Sequence, residues 1–335
     1  MEKLREKTFL LSQDIGIGNK FLIEEKLKKR VKEVFTLKDE LDDSRKDILY
    51  KVFKEITNKL SEENILKKFY FKYRKSLVKK NIEKYKEIDY FIIMGNVEFS
   101  DYFFEEFIKK FPEVKIILFL WDKLEYSHWL GRLQYFYKVF SYDRIDSIKN
   151  NFIFRPTFFI GECLENIPMI KKNDLYYIGV LREMKRYEYL LEINKYLIEN
   201  NLKPFFKLYV RKKRLKELPE DYERELIMTK KISYLENIEI SKNSKVILDI
   251  KYKNQDGMSL RIFEALAMDA KIITDNKDIE NYDFYNEKNI KIINDIEDIK
   301  DINRDFFITE AEKIDEKIKY KYSIDGFLDD ILKRL

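Results

Sequence analysis

The chain alternates short apolar runs with longer amphipathic stretches over nearly its whole length. Apolar runs of about four to eight residues have the size of buried strands, and apolar residues spaced three or four apart are typical of helices. Regular alternation of the two is the pattern of parallel sheets covered by helices, an α/β fold. The runs predict strands at Thr8–Ser12, Val31–Thr36, Asp89–Met94, Lys115–Trp121, Lys138–Ser141, Leu175–Val180, Phe205–Val210, Lys245–Ile250, Lys271–Thr274 and Asn289–Ile293.

One break in this rhythm divides the chain. Residues 156–174 contain two prolines and a glycine and show little periodicity, so we predict an interdomain linker there. It separates a first domain, residues 1–155, from a second, residues 175–306, and residues 307–335 form a final helical segment long enough to pack back on the first domain. Because two open α/β domains bind ligands at the carboxyl ends of their strands, a cleft between them is the expected active site.

Composition excludes several classes of protein. The formal net charge of +5 arises from 66 basic and 61 acidic residues, whereas a dedicated nucleic-acid binder is clearly basic. With Cys163 and His128 as the single residues of their types, an intramolecular disulfide is impossible and a structural zinc site is not expected. Neither a signal peptide nor a run of about 18 apolar residues is present. We therefore expect a cytoplasmic protein, soluble or peripheral on the inner face of the membrane, without a nucleic-acid partner.

The segment from Ile247 to Tyr285 carries the most chemical information. A buried strand leads to a turn, and a helix then begins near Met258 or Ser259. The first backbone N–H groups of a helix are unpaired and its dipole is positive there, so this start is a ready anion site. Ser259 adds a hydroxyl, Arg261 offers two parallel donors to a phosphate, and the Glu264 carboxylate is spaced to accept hydrogen bonds from a ribose diol.

These residues resemble a known family. Asp256–Glu264 is similar to the Glu-x7-Glu signature of GT-B glycosyltransferases, with Asp256 in the first acidic position. Glu264-Ala265-Leu266-Ala267 matches that family's segment after the donor turn, although Asp269-Ala270 replaces the usual Gly-Pro. The span Asp249–Tyr285 resembles bacterial capsular and lipopolysaccharide biosynthesis glycosyltransferases more closely still, and similar patterns occur at Trp121-Asp122, Phe140–Asp146 and Tyr176–Gly179.

The resemblance implies two Rossmann-like domains, the first binding an acceptor and the second a nucleotide-sugar donor. The donor, with a UDP-sugar as the first candidate, would be held through its diphosphate by the backbone near Asp256, Gly257, Met258 and Ser259. Cations and the helix dipole would stabilise the departing nucleotide, so we expect metal-independent transfer of a hexose with no bound cofactor.

Basic residues follow two further predicted strands of the second domain. In GT-B enzymes the region equivalent to Gly179–Arg186 carries cations that approach the donor diphosphate, which makes Gly179, Arg182 and Arg186 candidate donor-binding residues. Arg211 and Lys212 follow the next strand and are candidates on the same ground. The alternative for both groups is a solvated basic turn.

Two acidic residues of the first domain are candidate catalytic bases. Asp14 lies in a loop with two glycines that allow a ligand close to the backbone, and Asp122 follows an apolar strand. A plain helix cap is the alternative for Asp14. His128 could act as a base at neutral pH, but a lone histidine beside Trp129 is more often a packed or surface residue.

The segment Ile65–Lys80 interleaves aromatic residues and lysines on a predicted helix. Such a helix could rest on an anionic membrane surface, where a lipid-linked acceptor would lie. A core-facing helix with a solvated basic edge, or an RNA-stacking surface, has the same composition.

The sequence thus predicts a glycosyltransferase that extends a saccharide or lipid-linked saccharide of a capsule or lipopolysaccharide. Two alternatives use the same fold: a non-catalytic protein that binds sugar nucleotides or polysaccharides, and transfer of another activated group such as glycerol phosphate.

Overall fold

The computed structural model describes residues 2–14, 21–41, 48–57, 60–61, 64–251 and 255–335. The chain divides into two compact units. Unit 1 comprises Met1–Arg155 with Ile331–Leu335, and unit 2 comprises Pro156–Asp330.

Unit 1 contains a six-stranded sheet in the order β2-β1-β3-β4-β5-β6, with every neighbouring pair parallel. The strands are β1 (Thr8–Asp14), β2 (Glu33–Thr36), β3 (Tyr90–Gly95), β4 (Lys115–Leu120), β5 (Lys138–Ser141) and β6 (Ile153–Phe154). The helices are α1 (Phe21–Lys28), α2 (Ile48–Thr57), α3 (Ile65–Glu83), α4 (Asp101–Lys110) and α5 (Arg144–Asn150).

Aromatic residues fill the core of unit 1. Phe103, Phe104 and Phe107 of α4 are fully buried, as their helical spacing predicts. The ring of Phe91 on β3 packs against Phe103 and Phe107 with centroids 6.1 and 5.3 Å apart. The central strand β3 is buried along its whole length, as expected for a parallel sheet covered on both faces.

Unit 2 contains a second six-stranded parallel sheet, in the order β12-β11-β10-β7-β8-β9. The strands are β7 (Asn173–Val180), β8 (Pro204–Tyr209), β9 (Ile227–Met228), β10 (Ser244–Asp249), β11 (Lys271–Thr274) and β12 (Ile290–Ile292). The helices are α6 (Met184–Glu199), α7 (Tyr234–Lys242), α8 (Leu260–Ala267), α9 (Arg304–Ile308) and α10 (Glu316–Tyr322). A last helix, α11 (Ile324–Lys333), begins in unit 2, and its residues from Ile331 onward belong to unit 1. Read from β9 to β12, this is the strand order 3-2-1-4-5-6 of a dinucleotide-binding Rossmann sheet.

The α/β prediction is confirmed, and all ten predicted strands occur with ends within two residues of those expected. The segment expected to be an interdomain linker packs within unit 2. Phe158, Phe159 and Cys163 are buried there, and the Phe158 ring lies 4.6 Å from that of Phe327. The final helical segment is divided into α9, α10 and α11.

Among the described residues, no helix combines the length and apolar character that crossing a membrane requires.

Candidate functional site

Each sheet has a point where the strand order reverses and the loops on its two sides diverge. In unit 1 it lies between β1 and β3, and in unit 2 between β7 and β10. Ligands of open α/β sheets bind outside the carboxyl ends of the strands at this point. Both positions hold residues that the sequence had singled out.

In unit 2, Asp249 at the end of β10 gathers the candidate donor residues. Its buried Oδ1 atom accepts hydrogen bonds from the Ser259 hydroxyl at 2.7 Å and from Arg261 Nη1 at 3.0 Å. Arg261 Nη2 donates to the carbonyl of Ile178 on β7 at 2.7 Å. Arg261 therefore joins α8 to the two strands that flank the switch point, and Asp249, Ser259 and Arg261 form what we call the switch cluster.

The beginning of α8 keeps its donors available. Ser259 is the N-cap residue, but its hydroxyl bonds Asp249 and makes no cap hydrogen bond to the helix. A serine N-cap usually accepts from the second or third helical N–H group. Ile262 N–H donates to the Ser259 carbonyl at 3.2 Å, so the amides of Leu260 and Arg261 are the ones left for an anion, beside a fixed guanidinium.

The charge of Arg261 is secured by its surroundings. Burial works to lower its pKa, but the Asp249 carboxylate, together with Tyr177, Tyr176 and Glu264, outweighs it, so the pKa lies above the ordinary value. The guanidinium carbon lies 5.2 Å from the centroid of the Tyr177 ring, and this cation–π interaction stabilises the charged form.

Gly179 has a packing role on β7. A Cβ atom at this position would lie 2.5 Å from the hydroxyl oxygen of Tyr177. Because the Tyr177 ring is buried and carries Arg261 over its face, only glycine leaves both in place.

Glu264 lies one turn further along α8 and is only 5% exposed. The Tyr234 hydroxyl of α7 donates to its Oε1 atom at 2.6 Å. Burial raises the pKa of Glu264, while the Tyr234 hydrogen bond and the Arg261 charge oppose that rise. Burial and the nearby Glu264 also raise the pKa of the Cys163 thiol, which makes it an inert packing residue.

The turn before α8 is anchored to the next strand. Asn276, after β11, donates to the Asp256 carbonyl at 2.9 Å. Gly257 and Met258 are buried, so they contribute backbone and packing at the helix start. The Asp256 carboxylate lies 4.0 Å from Lys251 Nζ. The preceding residues 252–254 lie outside the described part of the chain.

The other candidate donor residues are distributed along the same sheet edge. Arg182 is exposed after β7, and Arg211 and Lys212 are exposed after the adjacent strand β8. Arg214 links the two loops, since its guanidinium donates to the Leu181 carbonyl at 2.8 Å.

Arg186 belongs to a different pocket, of about 170 Å³. Lys185, Asp275 and Asp295 also line it, at the ends of α6, β11 and β12, and the switch cluster does not. Burial raises the pKa of the Asp275 carboxyl.

In unit 1, Asp14 lines a cavity of about 350 Å³ at the switch point. Lys38, Asp39 and Asn96 also line it, from the ends of β2 and β3. Asp122 does not line the cavity but accepts a hydrogen bond from Asn96 Nδ2 at 3.3 Å, and burial raises its pKa. The glycines predicted to lie beside Asp14 fall within residues 15–20, outside the described part.

Sequence reasoning missed four residues that organise these sites: Asp249, Tyr234, Asn276 and Asn96. Asp249 and Asn276 carried a signal, because each is a polar residue that closes or follows a buried strand of the segment with family resemblance. Tyr234 carried none, since it lies 30 residues before its partner. His128 is an exposed loop residue.

Within the described ranges, no group of three or more His, Cys, Asp or Glu side chains is arranged to hold a metal ion.

No protein-family model and no curated protein sequence matches the chain significantly. Solved structures do match. A trehalose-6-phosphate synthase is 12% identical with a TM-score of 0.56, over 98% of both chains. The lipopolysaccharide outer core galactosyltransferase WaaB is 12% identical with a TM-score of 0.52, over 98% of this chain and 100% of the other.

A third match has a different activity. The UDP-GlcNAc 2-epimerase from Neisseria meningitidis, bound to UDP-GlcNAc, is 11% identical with a TM-score of 0.51, over 98% of both chains. Identities this low establish the fold alone. The chain has the GT-B fold of two Rossmann-like domains, which sugar transferases share with sugar-nucleotide epimerases.

Proposed function

We propose that this protein is a glycosyltransferase that takes a sugar from a nucleotide-sugar donor, with a UDP-sugar as the first candidate. The observation that carries the proposal is the switch cluster. It fixes a guanidinium beside an uncapped helix start at the reversal point of a Rossmann-order sheet. A diphosphate is the ligand whose charge and size suit that arrangement.

Arg261 retains donors for such a ligand. A guanidinium has five N–H groups, and Arg261 uses one toward Asp249 and one toward Ile178. The remaining donors and the first amides of α8 would bind the diphosphate. Glu264 keeps one carboxylate oxygen, Oε2, for a ribose hydroxyl, because Tyr234 engages only Oε1.

Charge builds up on the diphosphate as the glycosidic bond breaks. Arg261, Arg182, Arg211 and Lys212 lie at the same edge of the unit 2 sheet and would stabilise that charge together with the α8 dipole. In this proposal the protein's own cations do the work that a metal ion does elsewhere.

The acceptor site we propose is the unit 1 cavity. Its polar lining suits a saccharide, and Asp14, which lines it, would take a proton from an attacking hydroxyl. Asp122 would act through Asn96 as a positioning residue. A saccharide or lipid-linked saccharide of a capsule or lipopolysaccharide fits the sequence resemblance.

The experiment is isothermal titration calorimetry with UDP, GDP, CMP, dTDP and their sugars. We expect one nucleotide to bind, and Arg261→Lys to weaken it by about tenfold, because the single nitrogen of a lysine cannot span Asp249 and Ile178 and also present two parallel donors to a phosphate. Arg304→Lys, on the exposed surface of α9, is the matched control and should bind normally. Binding of no nucleotide, or equal binding by both variants, would contradict the donor site.

Transfer must then be separated from epimerisation. NMR of the donor alone with the protein would show a new sugar epimer if the protein shared the epimerase activity of its structural neighbour. A transferase should leave the hexose configuration of the donor unchanged and consume it when an acceptor saccharide is added. Binding without either reaction would favour the non-catalytic alternative.

A further inference from the structure

Two helices of unit 1, α2 and α3, present an exposed apolar surface. Its members are large hydrophobic side chains on two helices that pack against each other: Val52, Ile56, Ile65, Leu66 and Phe69. Ile65 is 69% exposed and Phe69 is 61% exposed. Single exposed apolar residues are ordinary, but a group of this size on adjacent helices marks an interaction surface.

Helix α3 also has a buried apolar face. Tyr70, Leu77, Val78 and Ile82 of α3 belong to the unit 1 core. Ile65, Phe69 and Lys72 follow at positions i, i+4 and i+7, so they share the opposite face. Ile65 and Phe69 therefore lie away from the core-facing side of α3.

The two helices that carry this surface are rich in lysine. Residues 48–83 contain ten Lys or Arg and four Glu, a net charge of +6, whereas the whole chain has +5. Lys51, Lys54, Lys68, Lys72 and Lys80 are exposed and, within the described part of the chain, make no ion pair. Cations that no carboxylate neutralises here are available to a negatively charged partner.

We propose that the α2–α3 surface docks on an anionic lipid bilayer. The apolar side chains would enter the boundary between headgroups and acyl chains, and the lysines would remain at the level of the phosphates. Each lysine near an anionic leaflet adds to the electrostatic attraction, which salt screens.

The mixture of side chains favours lipid over nucleic acid. RNA would use the aromatic rings for stacking and the lysines for phosphates, but it offers no apolar phase for Val52, Ile56, Ile65 and Leu66. A bilayer satisfies both the aliphatic side chains and the charges.

The test is flotation of the purified protein with vesicles of phosphatidylethanolamine and phosphatidylglycerol, compared with phosphatidylcholine alone. We expect binding to the anionic vesicles that weakens with added salt. The double variant Ile65→Ser/Phe69→Ser should lower the partition coefficient by at least about tenfold, from the apolar area it removes. Lys68→Glu/Lys72→Glu should lower it while leaving the apolar side chains intact.

Matched controls lie on α6 of unit 2. Ile198→Ser changes a residue that is 57% exposed, and Lys195→Glu reverses an exposed lysine. Both should bind vesicles like the parent. The proposal is overturned if anionic vesicles do not float the protein, if the α3 and α6 variants behave alike, or if Ile65→Ser/Phe69→Ser weakens the binding of poly(U) RNA as much as the binding of the vesicles. Circular dichroism checks that each variant is folded. Nucleotide titration of the same samples should show unchanged nucleotide binding, so that a loss of vesicle binding is not a loss of the donor site.

Discussion

The Glu264 carboxyl is held between opposing influences. Burial favours its neutral form and raises the pKa, while the Tyr234 hydroxyl and the Arg261 guanidinium favour the anion. The folded protein therefore binds this proton more readily than the unfolded chain does. Stability must fall as the pH rises from the ordinary value of 4.5 toward the raised pKa, and the cost persists above it.

Glu264→Gln should remove that cost. Glutamine is neutral at every pH and can still accept the Tyr234 hydrogen bond, so the variant should be more stable than the parent at neutral pH. The advantage should disappear below pH 4.5, where Glu264 is protonated in both the folded and the unfolded parent. Urea unfolding measured across this pH range gives the difference.

Glu236→Gln on α7 is the control of opposite sign. Hydrogen bonds from the Ser233 backbone and side chain lower the pKa of Glu236, so its stabilisation is present at neutral pH and is lost as the pH falls through that lowered value. This variant should be less stable than the parent at neutral pH. If Glu264→Gln were destabilising at neutral pH by the same test, an ionised Glu264 would be part of the folded core.

Sequence patterns identified the switch cluster only in part. Ser259 and Arg261 were predictable because a buried strand, a turn and a helix start occur in order within about twenty residues. Their partner contacts were not predictable. Arg261 was expected to offer two parallel donors to a phosphate, and no sequence pattern indicated that two of its N–H groups bond Asp249 and a carbonyl of β7.

Among the elements, strand positions were predictable because both faces of a parallel sheet are buried, which gives uninterrupted apolar runs. The edge strands β6 and β9 were missed, since two residues are too few to form a run. Residues 307–335 were expected to form one helical segment, but the helix is interrupted between α9 and α10. Residues 309–315 contain neither glycine nor proline, and the break is fixed by Asn289, whose side chain bonds both the N–H and the carbonyl of Glu312.

Gly326, near the beginning of α11, tests how the last two helices join. Alanine usually stabilises a helix relative to glycine by about 1 kcal/mol. Here a Cβ atom would lie 2.0 Å from the Tyr320 carbonyl oxygen, a backbone atom that also accepts from Ser323. Gly326→Ala should therefore destabilise the protein, by about 1–3 kcal/mol.

The control for this substitution is Gly161→Ala in the 3-10 helix Gly161–Leu164, where an added Cβ atom meets nothing within 4 Å. It should leave the urea midpoint unchanged or slightly raised. A stabilising Gly326→Ala would mean that the α10–α11 junction adjusts freely.

At the scale of the whole molecule, two units with separate cores should respond to two kinds of ligand. The switch cluster and its supporting residues all belong to unit 2, and the polar cavity with Asp14 belongs to unit 1. The helix Asp101–Lys110 and its aromatic core take no part in either site. Ligand protection should therefore be local to a unit.

Hydrogen exchange measured by mass spectrometry checks this expectation. A ligand at a hundred times its Kd stabilises the state that binds it by about 2.7 kcal/mol, which slows exchange through that unit's opening by about a hundredfold. The nucleotide that binds in calorimetry should protect peptides covering residues 176–186 and 245–268, and Arg261→Lys should reduce that protection. An acceptor saccharide should instead protect residues 90–98. Nucleotide protection confined to residues 90–98 would place the donor in unit 1 and reverse the two roles, because α8 and its uncapped amides would then have no anion to bind.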